Sequence, residues 1–414
     1  MPKLPAADRR RWTVLALLFS ITAINFVDRQ TLSVLAPKLK QIFHISSTEY
    51  GWILAWFQLG MTLMEFPMGM LMDRFGARFG FTVAVLWWSI GTALHAAARS
   101  AGMFGLFRFW MGTGECANFS GGIKVVNRWF PRHETALAIG VFNGGTMVGS
   151  MIAPPLIVFL DNTLGWRMAF VVPATFGIAW VLLWRSLYPR TPGEAPHRPG
   201  AERAVAPRTS ELLRSRQAWA LILCRFLAGP VMQFYWYWMP DYLFSARNMS
   251  LLAIGAFSWL PYLMGDVGSV AGGWFARRLL ASGCSVFRTR LITIGAGAAF
   301  CLGSLAVTIA PNAAWALAVI GIVLFGATFF SANMFAVVGD LFPESASGRI
   351  TGLTGFSGGV GGILFPLLTG YLVDHYSYAP AFVVAALLPL AGGAALFLLA
   401  PGLRPFTVTA ADQR

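Results

Sequence analysis

The sequence predicts an all-α membrane protein whose twelve transmembrane helices form two six-helix bundles, and three observations predict it. Of 414 residues, 57% are hydrophobic and 12% charged, about half the charged share of a soluble domain, which leaves too little charge to coat the water-soluble domains a chain this long would form. A window of about 20 mostly apolar residues, the length that crosses a bilayer, finds twelve runs. The runs fall into two sets of six around a stretch rich in Pro, Arg and Glu, 186–217, which cannot bury enough apolar surface to fold alone. The organisation expected is a bundle over 1–185, a linker over 186–217 and a second bundle over 218–414.

Taken in order, the first run, near 12–34, follows Arg9 to Arg11 as a secretion leader would. No small-residue cleavage site ends it and it continues into Asp28 and Arg29, so it is read as an uncleaved helix. The second, 51–71, carries Gln58 and Glu65, and the third is 79–98. The fourth, 103–123, holds Arg108, Glu115 and Asn118; the fifth, 136–160, holds Asn143 and Pro154-Pro155; the sixth is 167–185. Beyond the linker, the seventh, 218–244, carries Arg225, Gln233 and the aromatic run Phe234 to Trp238. The eighth, 251–275, carries Asp266; the ninth is 289–309; the tenth, 313–335, carries Asn333. The eleventh, 348–373, has glycines across 352–362 that let a helix bend or pack closely, and the twelfth is 379–400.

The formal charge of +14 is a statement about orientation. With loops assigned alternately to two sides, 23 of the 31 Lys and Arg fall on one side together with both termini and the linker. Five fall on the other side, and Arg29, Arg108 and Arg225 remain inside the runs. The positive-inside bias makes the richer side cytoplasmic, and a basic excess spent on topology removes the case for nucleic acid as partner. Four cysteines give no disulfide framework. His44, His95, His133, His197 and His375 lie in or near loops and form no metal cluster. Gly265-Asp266 lacks the second such motif an aspartyl protease needs. No enzyme activity, metal or cofactor is expected.

After the second run the chain reads Gly69-Met-Leu-Met-Asp73-Arg74-Phe-Gly76-Ala-Arg78, and the matching loop of the second half reads Gly273-Trp-Phe-Ala-Arg277-Arg278. A glycine in a last turn lets helices approach closely, Asp73 can meet the positive end of a following helix, and the arginines can meet carboxylates or carbonyl ends. Such a loop can latch two bundles and release them. The string G-x-x-x-D-R-x-G-x-R at this position in six plus six helices resembles the signature loop of the major facilitator superfamily. Further segments narrow the resemblance: Asn25-Phe-Val-Asp28-Arg29, Gly114-Glu115, Asn127-Arg-Trp-Phe-Pro131, Met151-Ile-Ala-Pro154-Pro155, Phe234 through Pro240, Ser331-Ala-Asn333, Asp340 through Pro343 and Gly348 through Pro366. Together they resemble the anion:cation symporter family, close to its bacterial hexuronate and aldonate transporters. Galactonate-type members carry Tyr and Gln where this chain has Met61 and Thr146.

A charged side chain near the bilayer centre costs at least about 2.5–3.5 kcal/mol, so each one marks a functional suspect. Arg108 and Glu115, seven residues apart, share one face of their helix, whereas adjacent Asp28 and Arg29 point about 100° apart. The arrangement expected is Asp28 paired with Arg108, leaving Arg29 to grip a substrate carboxylate through two hydrogen bonds. A carboxyl withdrawn from water favours its protonated form, which suits Glu115. The resemblance implies the same roles: protons on Asp28 and Glu115, the anion on Arg29. Amide and hydroxyl groups against an apolar wall would read a sugar acid, and the candidates are Asn25, Gln58, Asn118, Asn143, Gln233, Tyr235, Tyr237 and Asn333. Tyr235 and Tyr237 share their run with Trp236 and Trp238, which suit an interfacial belt equally well. Glu65 is assigned to the latch and Arg225 to snorkelling at a helix end.

The expected function is proton-coupled import of small carboxylates such as hexuronates by a monomer in the bacterial inner membrane, with both termini cytoplasmic. The competing reading is a proton-coupled antiporter exporting drugs or other organic compounds, to which Gly145-Thr-Met-Val-Gly149 and Pro154-Pro155 lend support.

Overall fold

The computed structural model describes residues 6–189, 207 and 209–406. Of the expected linker, 190–206 and 208 lie outside the described residues. Among those described, all regular structure is helical: α1 (Ala6–Phe43), α2 (Ser47–Leu94), α3 (Ala101–Glu115), α4 (Ala117–Trp129), α5 (Arg132–Leu164), α6 (Met168–Leu187), α7 (Thr209–Arg214) and α8 (Arg216–Ser245), followed by α9 (Leu251–Phe257), α10 (Trp259–Ala281), α11 (Val286–Cys301), α12 (Ser304–Thr308), α13 (Ala313–Leu341), α14 (Glu344–His375) and α15 (Tyr378–Leu399).

Ten described stretches are long and apolar enough to cross a membrane. One of them, Ser47–Ala97, is 51 residues long, roughly twice what a bilayer needs, and α2 breaks within it at Gly76, whose φ of +79° lies in the region that favours glycine. That stretch supplies two spans. Residues 101–129 supply one more, built from α3 and α4 and poor in net hydropathy because it carries Arg108, Glu115 and Lys124. The twelve expected spans are thus present. Polar caps start several of them: Ser46 accepts from the Glu49 amide at 3.1 Å while the Glu49 carboxylate accepts from the Ser46 amide at 2.8 Å, a reciprocal capping box. The first helix runs to Phe43, nine residues past its expected end, because Lys38 and Lys40 stay helical; Lys38 reaches Asp161 of α5 at 2.7 Å.

The chain divides into two compact units, Met1–Ala201 with Ser250–Trp259, and Glu202–Met249 with Leu260–Arg414. In the first unit α2 packs on α3 and α6, and α1 on α5. Its core holds Phe81, Trp88, Trp180 and Trp184, and two of these indoles give their N–H to carbonyls, Trp180 to Leu17 at 2.9 Å and Trp184 to Arg78 at 3.1 Å. Close approach depends on glycine: a Cβ on Gly112 would stand 2.3 Å from the Phe57 carbonyl oxygen. In the second unit α8 packs on α14 and α15, and α11 on α13. Trp238 is fully buried there with its ring edge to Tyr378, so the interfacial-belt reading does not hold for that residue.

Candidate functional site

Four charged residues inside the spans of unit 1, Asp28, Arg29, Arg108 and Glu115, converge. On α1, Asn25, Asp28 and Arg29 follow one another within little more than a turn; α3 brings Arg108 and Glu115, and the junction of α3 with α4 brings Asn118. Arg29 donates from Nε and Nη2 to Glu115 Oε2 at 3.0 and 2.8 Å. Its side chain is 12% exposed and that of Glu115 is 0%. The guanidinium lies over the rings of Phe26 and Phe57, at 4.7 and 5.1 Å. Nη2 also donates to Asn25 Oδ1 at 3.4 Å and approaches Met61 Sδ at 3.7 Å.

The expected pairing is therefore corrected. Asp28 does not pair with Arg108: among the described residues neither Asp28 carboxylate oxygen has a hydrogen bond. The carboxylate instead faces the buried Trp88 indole without closing one. Arg108 is fully buried and donates Nη2 to the backbone carbonyl of Arg29 at 2.8 Å, with Phe57 under its guanidinium at 5.1 Å. Arg29 is not left open, because its long stem reaches the Glu115 carboxylate across the helix contact. A buried pair of this kind gains little net stability, since desolvation cancels most of the attraction. Around it several buried polar atoms make no hydrogen bond among the described residues: Asn25 Nδ2, both Asp28 oxygens, Glu115 Oε1 and Asn118 Oδ1. Orphaned polar atoms are rare in native interiors, and five gathered on three neighbouring elements give this place unused capacity to bind protons and hydroxyls.

The neutral candidates divide. Asn25 and Asn118 belong to the cluster, and Asn118 Nδ2 donates to Thr22 Oγ1 at 3.2 Å. Gln58, half-buried on α2, donates to Thr62 at 3.5 Å, and Asn143 is half-buried on α5. In unit 2, Gln233 lies against Gly362 of α14. Tyr235 and Tyr237 depart from the expected open wall: both are buried, and the Tyr235 hydroxyl pairs with Ser304 while its ring packs on Phe234 and Phe382. Asn333 departs likewise. Its amide is spent inside the unit, donating to the carbonyls of Gly272 and Phe329 at 3.3 and 3.0 Å and accepting from Arg290 at 3.3 Å. Arg225, expected to snorkel, lies half-buried over the Phe335 ring at 4.8 Å.

In the signature loop Asp73 meets a side chain, not the positive end of a helix: Lys124 Nζ on α4 donates to Asp73 Oδ1 at 2.8 Å and to the Gly69 carbonyl at 3.0 Å. Gly76 makes the turn, Arg74 lies over the Phe75 ring at 5.3 Å, and Arg78 donates to the Arg185 carbonyl. The loop thus ties α2 to α4 and α6 within its own unit.

Sequence reasoning missed the contacts of four residues. Met61 touches the cluster and Lys124 the loop; Lys124, counted among the loop charges, stands one residue past the expected end of the fourth span, on α4, which runs on to Trp129. Arg290, counted among loop charges, is buried and donates to Asp340 at 2.7 Å; an acid near the end of the tenth span with no assigned base was the available hint. His95, also placed near a loop, is fully buried and stacked on Phe170 at 5.1 Å.

The sequence matches the model of the Major Facilitator Superfamily over residues 18–366 and again over 290–413. It is 30% identical to the hexuronate transporter of Escherichia coli (strain K12) over 405 residues, 92% of each chain. It is 29% identical to the D-galactonate transporter of Escherichia coli O6:H1 over 413 residues, 94% of this chain and 96% of that one. Among solved structures, a bacterial homolog of the human lysosomal transporter Spinster, inward-facing and unoccupied, superposes with a TM-score of 0.78 at 18% identity, covering 96% of this chain and 98% of that one. A D-xylose-proton symporter gives 0.75 at 14% identity, covering 96% and 99%. Family model, relatives and fold agree, and the chain is a membrane transporter belonging to the Major Facilitator Superfamily.

Proposed function

We propose that the transporter imports small organic anions, sugar acids such as hexuronates, by proton symport with alternating access of its two bundles. The observation that carries this reading is the buried Arg29–Glu115 pair with a second carboxylate, Asp28, beside it that has no hydrogen bond among the described residues. The names of relatives support the substrate class: hexuronate, D-galactonate and, in Dickeya chrysanthemi, galacturonate.

The chemistry follows from what a proton does to that pair. Ionised Glu115 holds Arg29. A protonated Glu115 carboxyl no longer competes for the guanidinium, and Arg29 then takes the substrate carboxylate through its two-pronged fork. Protonation of Asp28 removes the remaining negative charge beside the incoming anion. Asn25 and Asn118 offer the free amide valences for hydroxyls. Release reverses the order: Glu115 loses its proton, recovers Arg29 and expels the anion. Two acids and a monovalent substrate give up to two protons per anion, so net transport carries positive charge inward. The positive-inside bias supports a bacterial inner-membrane protein with both termini cytoplasmic, and nothing in this cycle needs more than one copy.

Purified protein in proteoliposomes, given labelled D-galacturonate or D-glucuronate and an acidic exterior, should accumulate the anion and lose that accumulation on addition of a protonophore. Uptake indifferent to the pH gradient would remove the coupling, and proton-driven efflux of organic cations in its place would favour the antiporter.

A further inference from the structure

A third carboxylate stands on the same side of unit 1. Met61, which touches Arg29, is followed at successive steps of four residues along α2 by Glu65, Gly69 and Asp73, and such a row forms a ridge with about 6 Å of rise per step. The upper end of the ridge meets the Arg29–Glu115 pair and the lower end meets Lys124, which holds both Gly69 and Asp73. Glu65 lies between, one turn from each.

Glu65 is not turned toward lipid. The exposed apolar face of this helix is made by Trp52, Trp56, Leu63, Phe66 and Met70, whose mean direction is about 140° around the axis from Glu65 at 100° per residue. Glu65 is an exposed residue, and its carboxylate, among the described residues, has neither hydrogen bond nor ion pair. The titratable and charged groups on the elements packed around α2 are Asp28 and Arg29 on α1, Arg108 and Glu115 on α3, Cys116 and Lys124 at the junction and on α4, and Arg185 on α6, which is tied to Arg78. The two cations shown touching the ridge, Arg29 at Met61 and Lys124 at Gly69 and Asp73, are already engaged by Glu115 and Asp73. An intramembrane acid without a partner is costly unless it is used.

We infer that Glu65 is the exit station for the coupled proton, standing between the Arg29–Glu115 pair and the Lys124–Asp73 pair. The inference rests on the proton-symport reading above. When Glu115 ionises and takes Arg29 back, its proton passes through water to the Glu65 carboxylate, and the Glu65 carboxyl then gives it to cytoplasmic water; one O–H bond breaks for each that forms. Glu65 needs no contact with the anion, so substrate affinity and exchange of labelled for unlabelled substrate do not depend on it.

The test compares net uptake driven by a pH gradient with counterflow exchange at equal pH, in wild-type protein, Glu65→Gln and Glu65→Asp, using D-galacturonate in proteoliposomes. Expected is a loss of net uptake of at least tenfold in Glu65→Gln with counterflow within twofold of wild type, and recovery of most net uptake in Glu65→Asp. Wild-type net uptake in Glu65→Gln overturns the proposal. So does loss of counterflow in a Glu65→Gln protein whose melting temperature is unchanged, because the carboxylate then serves binding. Absence of any pH-driven uptake in wild type is a different result, the failure of the symport reading itself.

Discussion

Arg29 and Glu115, 86 residues apart in the chain, are joined by two hydrogen bonds to a single carboxylate oxygen, Oε2, while the buried Oε1 accepts none among the described residues. In the proposed cycle the pair is a competition, in which an anion arriving at Arg29 displaces Glu115 and a proton on Glu115 is what lets it go. Substrate affinity should therefore rise as pH falls, about tenfold per pH unit for one obligately coupled proton in the range where Glu115 ionises. Glu115→Gln should bind with little pH dependence and lose pH-driven accumulation; equilibrium binding measured across pH reads both.

Arg29→Ala should weaken sugar-acid binding by roughly 100-fold or more, the usual scale for removing one partner of a buried charge-assisted contact. Arg29→Lys keeps the charge and loses the planar fork, so its affinity should fall between the two. Thermal stabilisation of the purified variants by a uronate series gives the ranking, and wild-type stabilisation in Arg29→Ala would place the anion elsewhere.

Gly145 and Gly149 let α5 lie against α1: a Cβ at Gly145 would stand 2.3 Å from the Phe19 carbonyl oxygen and one at Gly149 2.4 Å from that of Ala23. Helix packing accounts for them, which removes their support for an antiporter. Gly145→Ala should destabilise the protein by about 1–3 kcal/mol through overpacking. Gly140→Ala, with nothing within 4 Å of the new methyl, should be neutral or slightly stabilising, as Ala is favoured in helices. Melting in detergent distinguishes them.

Arg290 is 8% exposed and its guanidinium is satisfied by Asp340 and Asn333. Asp340→Ala leaves that cation buried and uncompensated, a loss of about 3 kcal/mol or more. Asp73→Asn, by contrast, breaks a pair whose partners are 71% and 41% exposed, so it should change stability by less than about 1 kcal/mol and show its effect in transport rate.

Much of this was legible in the sequence, and the reason is scarcity. With so few charges inside the spans, Asp28, Arg29, Arg108 and Glu115 identified themselves, and the twelve helices followed from apolar run length. What the sequence could not supply was rotation and reach. The 100° between Asp28 and Arg29 says they face different neighbours without saying which, and the pairing observed is the opposite of the one expected. Tyr235 and Asn333 show a related limit: a polar group in a span reads as a binding group until its hydrogen bonds are seen to close inside its own bundle. Lys124 and Arg290 were hidden because helices continue beyond their apolar cores and carry apparent loop charges into contact.

The most direct test of the proposed proton gating of the Arg29–Glu115 pair is proton uptake on anion binding. Titration calorimetry of D-galacturonate in two buffers of different ionisation enthalpy, near neutral pH, counts the protons taken up per bound anion. At least one should be taken up by the wild-type protein and fewer by Glu115→Gln. Binding to the wild type with no proton exchanged, and with affinity independent of pH, would contradict the account.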